Sequence, residues 1–232
     1  LPAERPAWLA TMAGRIRPAR GRDRALLDLA PLAGRTVLLP RAERAAWDAD
    51  AIATALSADP VAQAKRIAFR AVDAALLRFG EERRIADGDL AARHDDAARR
   101  GWLVERLRAA LAACPEAGAV LLGPWLGVAA PRAEALAREL GVPVGEALPG
   151  VGSAAGMRFE AARDAMLARL GVRRVRGRVT EVRREDGRMA VSVEGEAAAR
   201  ALDAVVLAIG VLAAGGVIYA PPEHDAGADL PP

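Results

Sequence analysis

An uninterrupted apolar run near the carboxyl end constrains the fold of this chain more than any other stretch. It reads Asp203-Ala-Val-Val-Leu-Ala-Ile-Gly210, and no polar residue interrupts it from Ala204 to Ala208. A run of this kind is typical of a strand that is covered on both faces, usually in a parallel sheet. The glycine at its end and the following pair Gly215-Gly216 allow a ligand to come close to the backbone at the carboxyl edge of the sheet. The run therefore predicts a buried strand beside a ligand site.

Helical and extended patterns alternate through the rest of the chain. The apolar spacing predicts strands over 36–39 and 117–122, a short extended piece over 142–144, and helices over 45–56, 61–79, 101–113, 131–140 and 157–170. Asp59-Pro60 predicts an N-cap with proline at the first helical position. Glu185-Asp186-Gly187 predicts the turn of an antiparallel hairpin. This order of elements predicts an α/β fold with a parallel or mixed sheet, an added antiparallel hairpin and an inserted helical region.

Composition divides the chain into four predicted regions. Residues 1–35, rich in proline, glycine and arginine, are expected to form an irregular arm with at most a short helix around 24–29. Residues 36–150 are expected to form an α/β domain, 151–218 a helix, hairpin and parallel strand, and 219–232 a tail or linker. Because the chain begins with Leu1 and not with methionine, we also expect an upstream portion.

The residue counts argue against several classes of protein. The 232 residues are 53% hydrophobic and 27% charged, which is a globular composition. Aromatic residues make up only 3%, too few for the stacking platforms of a nucleic-acid binder. No stretch approaches the roughly twenty apolar residues that cross a bilayer, so we expect no direct membrane insertion. Cys114 is the only cysteine, which rules out an intramolecular disulfide and fits a reducing cytoplasm.

The charged segment 81–100 is predicted to be solvated surface, with a mobile lid as the alternative. His94 lies in this segment and His224 in the tail, and neither has a partner at metal-ligand spacing. Both histidines are therefore expected at the surface, and no metal site is predicted. No nucleophile elbow or P-loop occurs either, which leaves hydrolase and phosphotransferase functions without support.

A glycine-rich loop precedes the helix predicted over 157–170. Its glycines are spaced G-x-G-x-x-x-G, and no strand leads into it, so it is interpreted as a connection and not as a dinucleotide fingerprint. The helix after it offers free N–H groups, and Arg158 lies in its first turn. Arg158 could hold a substrate phosphate or carboxylate there, or it could pair with Glu160 or another surface acid.

Short motifs in this part of the chain resemble those of flavin-dependent oxidoreductases. Ala208-Ile209-Gly210 and Gly215-Gly216 resemble the ATG…GG strand of these enzymes, with isoleucine in the place of threonine. Leu148-Pro149 and Gly156-Met157-Arg158 extend the resemblance to the family of the second subunit of anaerobic glycerol-3-phosphate dehydrogenase and its flavoprotein relatives of the fumarate reductase and succinate dehydrogenase type. The resemblance covers the chain in outline and is specific only from residue 148 to residue 216.

This resemblance implies a Rossmann-like flavin-binding fold and hydride transfer from a small hydroxylated substrate, such as glycerol 3-phosphate, to FAD or FMN. Electrons would pass to a partner subunit and a quinone, in a cytoplasmic protein associated peripherally with a membrane complex. No catalytic residue is implied. The residues implied to bind the cofactor are Val179, Ala208, Ile209, Gly210, Gly215 and Gly216, and the one implied to bind the substrate is Arg158.

Two alternatives remain open. The G-x-G-x-x-G segment that cradles the cofactor pyrophosphate in this family does not occur in the chain. Its absence favours a non-catalytic flavin-fold module that binds or assembles with a catalytic partner. The other alternative, an enzyme that holds a nucleotide such as NAD at Gly210, ranks last because it lacks the same fingerprint.

Overall fold

A computed structural model describes residues 6–150 and 152–208 and shows a mixed α/β chain. The chain divides into two compact units between Val172 and Arg173. We call the described residues 6–172 the N-terminal unit and 173–208 the C-terminal unit. The boundary that the sequence placed between 150 and 151 therefore falls later in the chain, because the helix that follows residue 153 belongs to the N-terminal unit.

The first residues of the N-terminal unit form a hairpin of β1 (Ala7–Ala10) and β2 (Ile16–Ala19), followed by a short 3-10 helix over Ala30–Leu32. The irregular arm expected over 1–35 is thus partly regular, and 24–29, where the sequence allowed at most a short helix, contains no helix. Apolar side chains on the hairpin explain the difference. Leu9 and Ile16 are 3% and 5% exposed, so the hairpin buries them in the core, although the sequence around them is rich in turn residues.

A four-stranded parallel sheet is the framework of the N-terminal unit. Its strands stand in the spatial order β4-β3-β5-β6, so the central strand β3 pairs with both β4 and β5. Their bounds are β3 (Thr36–Pro40), β4 (Ala68–Val72), β5 (Ala117–Leu122) and β6 (Val144–Glu146). Val37, Leu38 and Leu39 are all fully buried, as expected of a parallel strand covered on both faces. The strands predicted over 36–39 and 117–122 are confirmed.

The described part of this unit contains six α-helices and, besides the 3-10 helix already given, a second one over Gly80–Arg83. The α-helices are α1 (Ala49–Ala58), α2 (Pro60–Lys65), α3 (Asp87–Arg93), α4 (Ala97–Ala112), α5 (Ala133–Leu140) and α6 (Ala154–Arg169). Asp59 caps α2 by accepting a hydrogen bond from the N–H of Val61, as its sequence predicts. Helix α5 ends at Gly141, whose φ of 74° is a left-handed cap that favours glycine. None of the described helices is long and apolar enough to cross a membrane.

The long helix predicted over 61–79 is wrong. Helix α2 ends at Lys65, Arg66 turns the chain with a φ of 53°, and β4 follows at once. Of the stripe Ile67, Val72, Leu76 and Phe79 that suggested the helix, only Val72 lies in β4, where it is buried. Five residue pairs align β4 with β3, and this non-local pairing overrides the local periodicity.

The C-terminal unit is a three-stranded antiparallel sheet in the order β7-β8-β9. Its strands are β7 (Val179–Glu185), β8 (Arg188–Val193) and β9 (Arg200–Leu202). The predicted hairpin between β7 and β8 is confirmed, since Asp186 and Gly187 have φ values of 49° and 82°, the left-handed pair that two-residue hairpins require. The sequence did not predict β9.

The buried strand predicted over 204–208 does not form. These residues lie outside all described strands, and Val206 and Leu207 are 89% and 63% exposed. A strand covered on both faces needs a neighbour on each side, and no described strand pairs with this run. The residues that follow it, among them Ile209, Gly210, Gly215 and Gly216, lie outside the described ranges.

The outer edge of β6 gives a test of the packing. A Cβ atom built on Gly145 would lie 2.5 Å from the backbone nitrogen of Leu27, because residues 25–27 bond to this edge. We expect Gly145→Ala to lower the free energy of unfolding by about 1–3 kcal/mol through overpacking. Gly101→Ala, in the interior of α4 with no atom within 4 Å of the new Cβ, should instead raise it by about 0.5–1 kcal/mol. Urea unfolding of both variants measures the difference, and equal stabilities would contradict the contact.

Candidate functional site

An open cleft of about 1060 Å³ lies at the carboxyl ends of β3 and β4. One wall is the segment 41–50 that leaves β3, and the other is the segment 73–80 that leaves β4, together with Arg83. We call it the edge cleft. The carboxyl edge of a parallel sheet is where ligands bind in open α/β folds, because the loops that leave neighbouring strands face each other there. The topology therefore makes the edge cleft a candidate binding site.

The crevice next to the edge cleft, between the carboxyl ends of β3 and β5, is filled by two tryptophans. The chain leaves β3 toward β4 and then crosses to β5 on the other side, so this crevice is the topological switch point of the sheet. Trp47 and Trp125 pack edge to face there with their ring centroids 5.5 Å apart, and each is only 2% exposed. The indole N–H of Trp47 donates to the carbonyl of Pro40 and that of Trp125 to Asp87, each at 2.8 Å. The open volume consequently lies over β3 and β4.

Carboxylates neutralise three of the four arginines that line the edge cleft. Arg41 lies 2.7 Å from Asp50 and 2.8 Å from Asp73, and hydrogen bonds to these carboxylates raise its pKa. Arg83 pairs with Glu43 at 2.6 Å, and Arg44 pairs with Asp87 at 2.6 Å.

The fourth arginine of the edge cleft, Arg78, has no carboxylate partner among the described residues. Its guanidinium lies 5.3 Å from the ring centroid of Phe79, a cation–π contact at the rim. Phe79 is 47% exposed, which is unusual for a phenylalanine in a folded unit. The rim of the cleft therefore presents an uncompensated positive charge beside an exposed aromatic ring.

A fully buried carboxylate, Glu82, holds this rim in place. Its Oε2 accepts hydrogen bonds from the backbone N–H of Arg78 at 2.6 Å and from that of Phe79 at 3.4 Å. Arg99 donates to both carboxylate oxygens of Glu82, and Arg93 pairs with Oε1 at 3.1 Å. Burial disfavours the charge of Glu82, but these donors outweigh it and lower the pKa of the carboxyl group.

His94 is buried in the same part of the unit, at 3% exposure. Its Nδ1 lies 2.7 Å from the carbonyl oxygen of Trp125, so Nδ1 carries the proton and donates it. Its Nε2 has no hydrogen-bond partner among the described residues. Burial, reinforced by the nearby Arg99 charge, lowers the pKa of His94 to about 4. The expectation that His94 and the whole segment 81–100 form solvated surface is therefore wrong, because tertiary contacts bury three of its charged or polar side chains: Glu82, His94 and Arg99.

Arg158 lies at the centre of a second buried cluster. Its Nη2 lies 2.5 Å from Glu146, its Nε lies 2.6 Å from Asp23, and its Nη1 donates to the carbonyl oxygen of Gly127. Glu146 also accepts the backbone N–H of Leu126 at 2.5 Å. We call Arg158, Glu146 and Asp23 the Arg158 cluster. It ties α6 to β6, to the loop after β5 and to the segment before residue 25.

Arg158 and Glu146, the closest pair in the Arg158 cluster, are both charged. Burial disfavours the charged form of Arg158, but the two carboxylates outweigh it and raise its pKa. Burial raises the pKa of Glu146, yet a guanidinium that cannot lose its proton at 2.5 Å keeps this carboxyl group ionised at neutral pH. The sequence left open a pairing of Arg158 with Glu160 or a surface acid. Its partners are instead the buried Glu146 and the partly buried Asp23. Its role toward an anionic substrate stays a prediction.

The residues expected to bind the cofactor are not brought into an enclosed site within the described ranges. Val179 opens β7 and is 51% exposed, and Ala208 is also exposed. The other four, Ile209, Gly210, Gly215 and Gly216, lie outside the described residues. No group of three or more histidine, cysteine, aspartate or glutamate side chains in the described ranges is placed to hold a metal ion.

Sequence reasoning missed the edge cleft and the Glu82 contacts that shape its rim. Glu82 and Arg99 are 17 residues apart, and no local pattern pairs them. The cleft also depends on β4, which the sequence assigned to a helix. Comparison with protein-family models, with curated proteins and with solved structures finds no match for this chain.

The Arg158 cluster yields a stability prediction. Arg158→Gln leaves the buried Glu146 charge uncompensated, and we expect it to lower the free energy of unfolding by about 3–5 kcal/mol. The double variant Arg158→Gln with Glu146→Gln removes both charges and should recover part of the loss. Arg163→Gln, on the same helix but 41% exposed at its side chain, should cost less than about 1 kcal/mol. Chemical denaturation of the three variants measures the effect, and equal losses for positions 158 and 163 would contradict it.

His94 yields a pH prediction. Its pKa is about 4 in the folded protein and 6.5 in the unfolded chain, so the unfolded state takes up the proton first as the pH falls. This contribution to stability is complete above pH 6.5 and is lost toward pH 4, by about 2 kcal/mol at pH 5. Asn at position 94 keeps an N–H near the Trp125 carbonyl but does not titrate. Between pH 8 and pH 5, His94→Asn should therefore lose about 2 kcal/mol less stability than the parent, as measured by urea unfolding. If the stability of the variant and that of the parent fall equally with pH, His94 is not buried in its neutral form.

Proposed function

We propose that this chain is part of a flavin-dependent oxidoreductase. It would dehydrogenate a small hydroxylated substrate such as glycerol 3-phosphate and pass the electrons to a partner subunit and a quinone, in the cytoplasm at the periphery of a membrane complex. One observation carries the proposal. Helix α6 is followed by the hairpin β7-β8, and these are the first two elements of the helix, hairpin and parallel strand that the resemblance implies for the second half of a flavin-binding domain.

The described residues do not by themselves fit an enclosed flavin. Val179 and Ala208 are both exposed, and the apolar run beside Ala208 is open to solvent. A flavin pocket excludes water from the reacting ring, so the pocket under this proposal needs residues outside the described ranges, among them Gly210 and Gly215. We therefore derive no step of the reaction through FAD or FMN.

The anionic part of the substrate is assigned to Arg158 under the proposal, and the geometry sets a condition on that role. Its guanidinium is 5% exposed and already contacts Glu146 and Asp23. A substrate phosphate would have to displace one of these carboxylates. Asp23 is the more accessible, at 19% side-chain exposure against 0% for Glu146, so the exchange would take place on the Asp23 side.

A second candidate function is a non-catalytic binding or assembly module that docks on a catalytic partner. Exposed apolar side chains favour it. Val206 and Leu207 are 89% and 63% exposed in the C-terminal unit. In the N-terminal unit, Phe159 on α6 and Leu170 at its C-cap are 68% and 65% exposed. Exposed large apolar side chains on either unit are candidates for a protein–protein contact.

An absorption spectrum separates the two candidates. The purified chain is mixed with excess FAD or FMN, desalted and scanned in the visible range. Under the oxidoreductase proposal a flavin band remains and bleaches on addition of glycerol 3-phosphate, and Gly210→Val abolishes it because a branched side chain blocks the close approach that glycine allows. If neither flavin is retained, the oxidoreductase proposal fails for this chain, and a docking module is the better description.

A further inference from the structure

We propose that the edge cleft binds a nucleoside monophosphate, with the base against Phe79 and the phosphate on Arg78. This goes beyond the proposed oxidoreductase function and does not depend on it. None of the residues assigned to the flavin or to the substrate lines the edge cleft.

Position and size suit a small ligand. The edge cleft opens at the carboxyl ends of two adjacent parallel strands, β3 and β4, where the loops can enclose a ligand from two sides. Its volume of about 1060 Å³ is sufficient for a mononucleotide with bound water. The tryptophans at the switch point fill the neighbouring crevice, so a ligand on this edge of the sheet is directed over β3 and β4.

The pairing of the lining arginines leaves Arg78 as the place for an anion. Arg41, Arg44 and Arg83 each hold a carboxylate of the protein within 2.7 Å, whereas Arg78 holds none among the described residues. A phosphate carries more charge than a carboxylate and offers more acceptor oxygens to a guanidinium. It can therefore bind at Arg78 even though four acids, Glu43, Asp48, Asp50 and Asp73, also line the cleft.

Phe79 selects a planar ring. The residue is 47% exposed although the Arg78 guanidinium lies over its ring, which leaves room for a base on the uncovered side. Base–aromatic stacking needs only an exposed π face and tolerates any base. The apolar side chains of Leu76 and Leu77 line the cleft beside the ring and extend the apolar surface. An adjacent guanidinium and ring match the phosphate and base of one mononucleotide.

The two rim residues are held in place before any ligand arrives. The buried Glu82 carboxylate accepts the backbone N–H groups of Arg78 and Phe79, and Arg99 fixes Glu82 from the other side. A buried carboxylate that bonds two successive N–H groups restricts the backbone where both proposed ligand contacts originate. Such preorganisation lowers the entropy cost of binding.

Titration calorimetry with inosine monophosphate, inosine and inorganic phosphate tests the proposal. We expect the monophosphate to bind at least about ten-fold more tightly than either fragment, because a charge-assisted contact and a stacked ring act together. Arg78→Gln should weaken the monophosphate about ten-fold and leave inosine unchanged. Phe79→Leu should weaken the monophosphate and inosine by the same factor, about five-fold or more.

Arg70→Gln is the matched control. Arg70 is an exposed arginine on β4 that pairs with Glu116 and does not line the cleft. Its removal changes the net charge of the protein as much as Arg78→Gln does. Because a distant charge is screened by salt, we expect it to alter binding less than about two-fold. Circular dichroism and the melting temperature of each variant establish that it is folded. The proposal is overturned if millimolar monophosphate releases no binding heat, or if positions 70 and 78 weaken binding equally. Flavin retention is measured separately with FAD and FMN, so the two proposals fail independently.

Discussion

The parallel pairing of β3 with β4 on one side and β5 on the other is the constraint on which the N-terminal unit depends. It buries Val37, Leu38 and Leu39 completely and brings the loops that leave β3, β4 and β5 to one edge of the sheet. At that edge the tryptophan pair closes one crevice and the edge cleft stays open beside it. The edge cleft would not exist if 66–72 continued the preceding helix, as its local periodicity suggests. A non-local pairing thus creates the candidate site.

Two buried carboxylates, Glu82 and Glu146, then fix the loops around this sheet. Each is almost fully buried, each bonds at least one backbone N–H, and each is matched by an arginine from a helix, Arg99 on α4 and Arg158 on α6. Burying a charge is unfavourable unless its partners replace the lost water. The loop that contains Arg78 and the loop that contains Leu126 are therefore restricted to conformations that supply these partners. Rigidity at the rim of the edge cleft and at the start of α6 follows from the same physics.

The two units bear on function in different ways. The C-terminal unit carries Val179 and Ala208, two of the residues that the resemblance assigns to the flavin, and both are exposed, as are Val206 and Leu207. The N-terminal unit carries the shorter motifs Leu148-Pro149 and Gly156-Met157-Arg158, but none of these residues lines its edge cleft. The edge cleft combines an open volume with an arginine that has no carboxylate partner among the described residues and an exposed phenylalanine on a fixed backbone. Motif and geometry therefore point to separate regions, and the oxidoreductase and nucleotide proposals rest on independent observations.

The sequence alone determined the features that depend on neighbouring residues. It predicted the strands at 36–39 and 117–122, the Asp59 cap and the Asp186-Gly187 turn, because apolar continuity, capping and left-handed φ values are local properties. Only the tertiary structure decided that 68–72 is a strand, that Glu82 and His94 are buried, and that 204–208 is exposed. Each of these depends on a partner distant in the chain, or on its absence among the described strands. Whether an apolar or charged side chain is buried depends on these distant partners, and the spacing of residues along the chain carries no information about them.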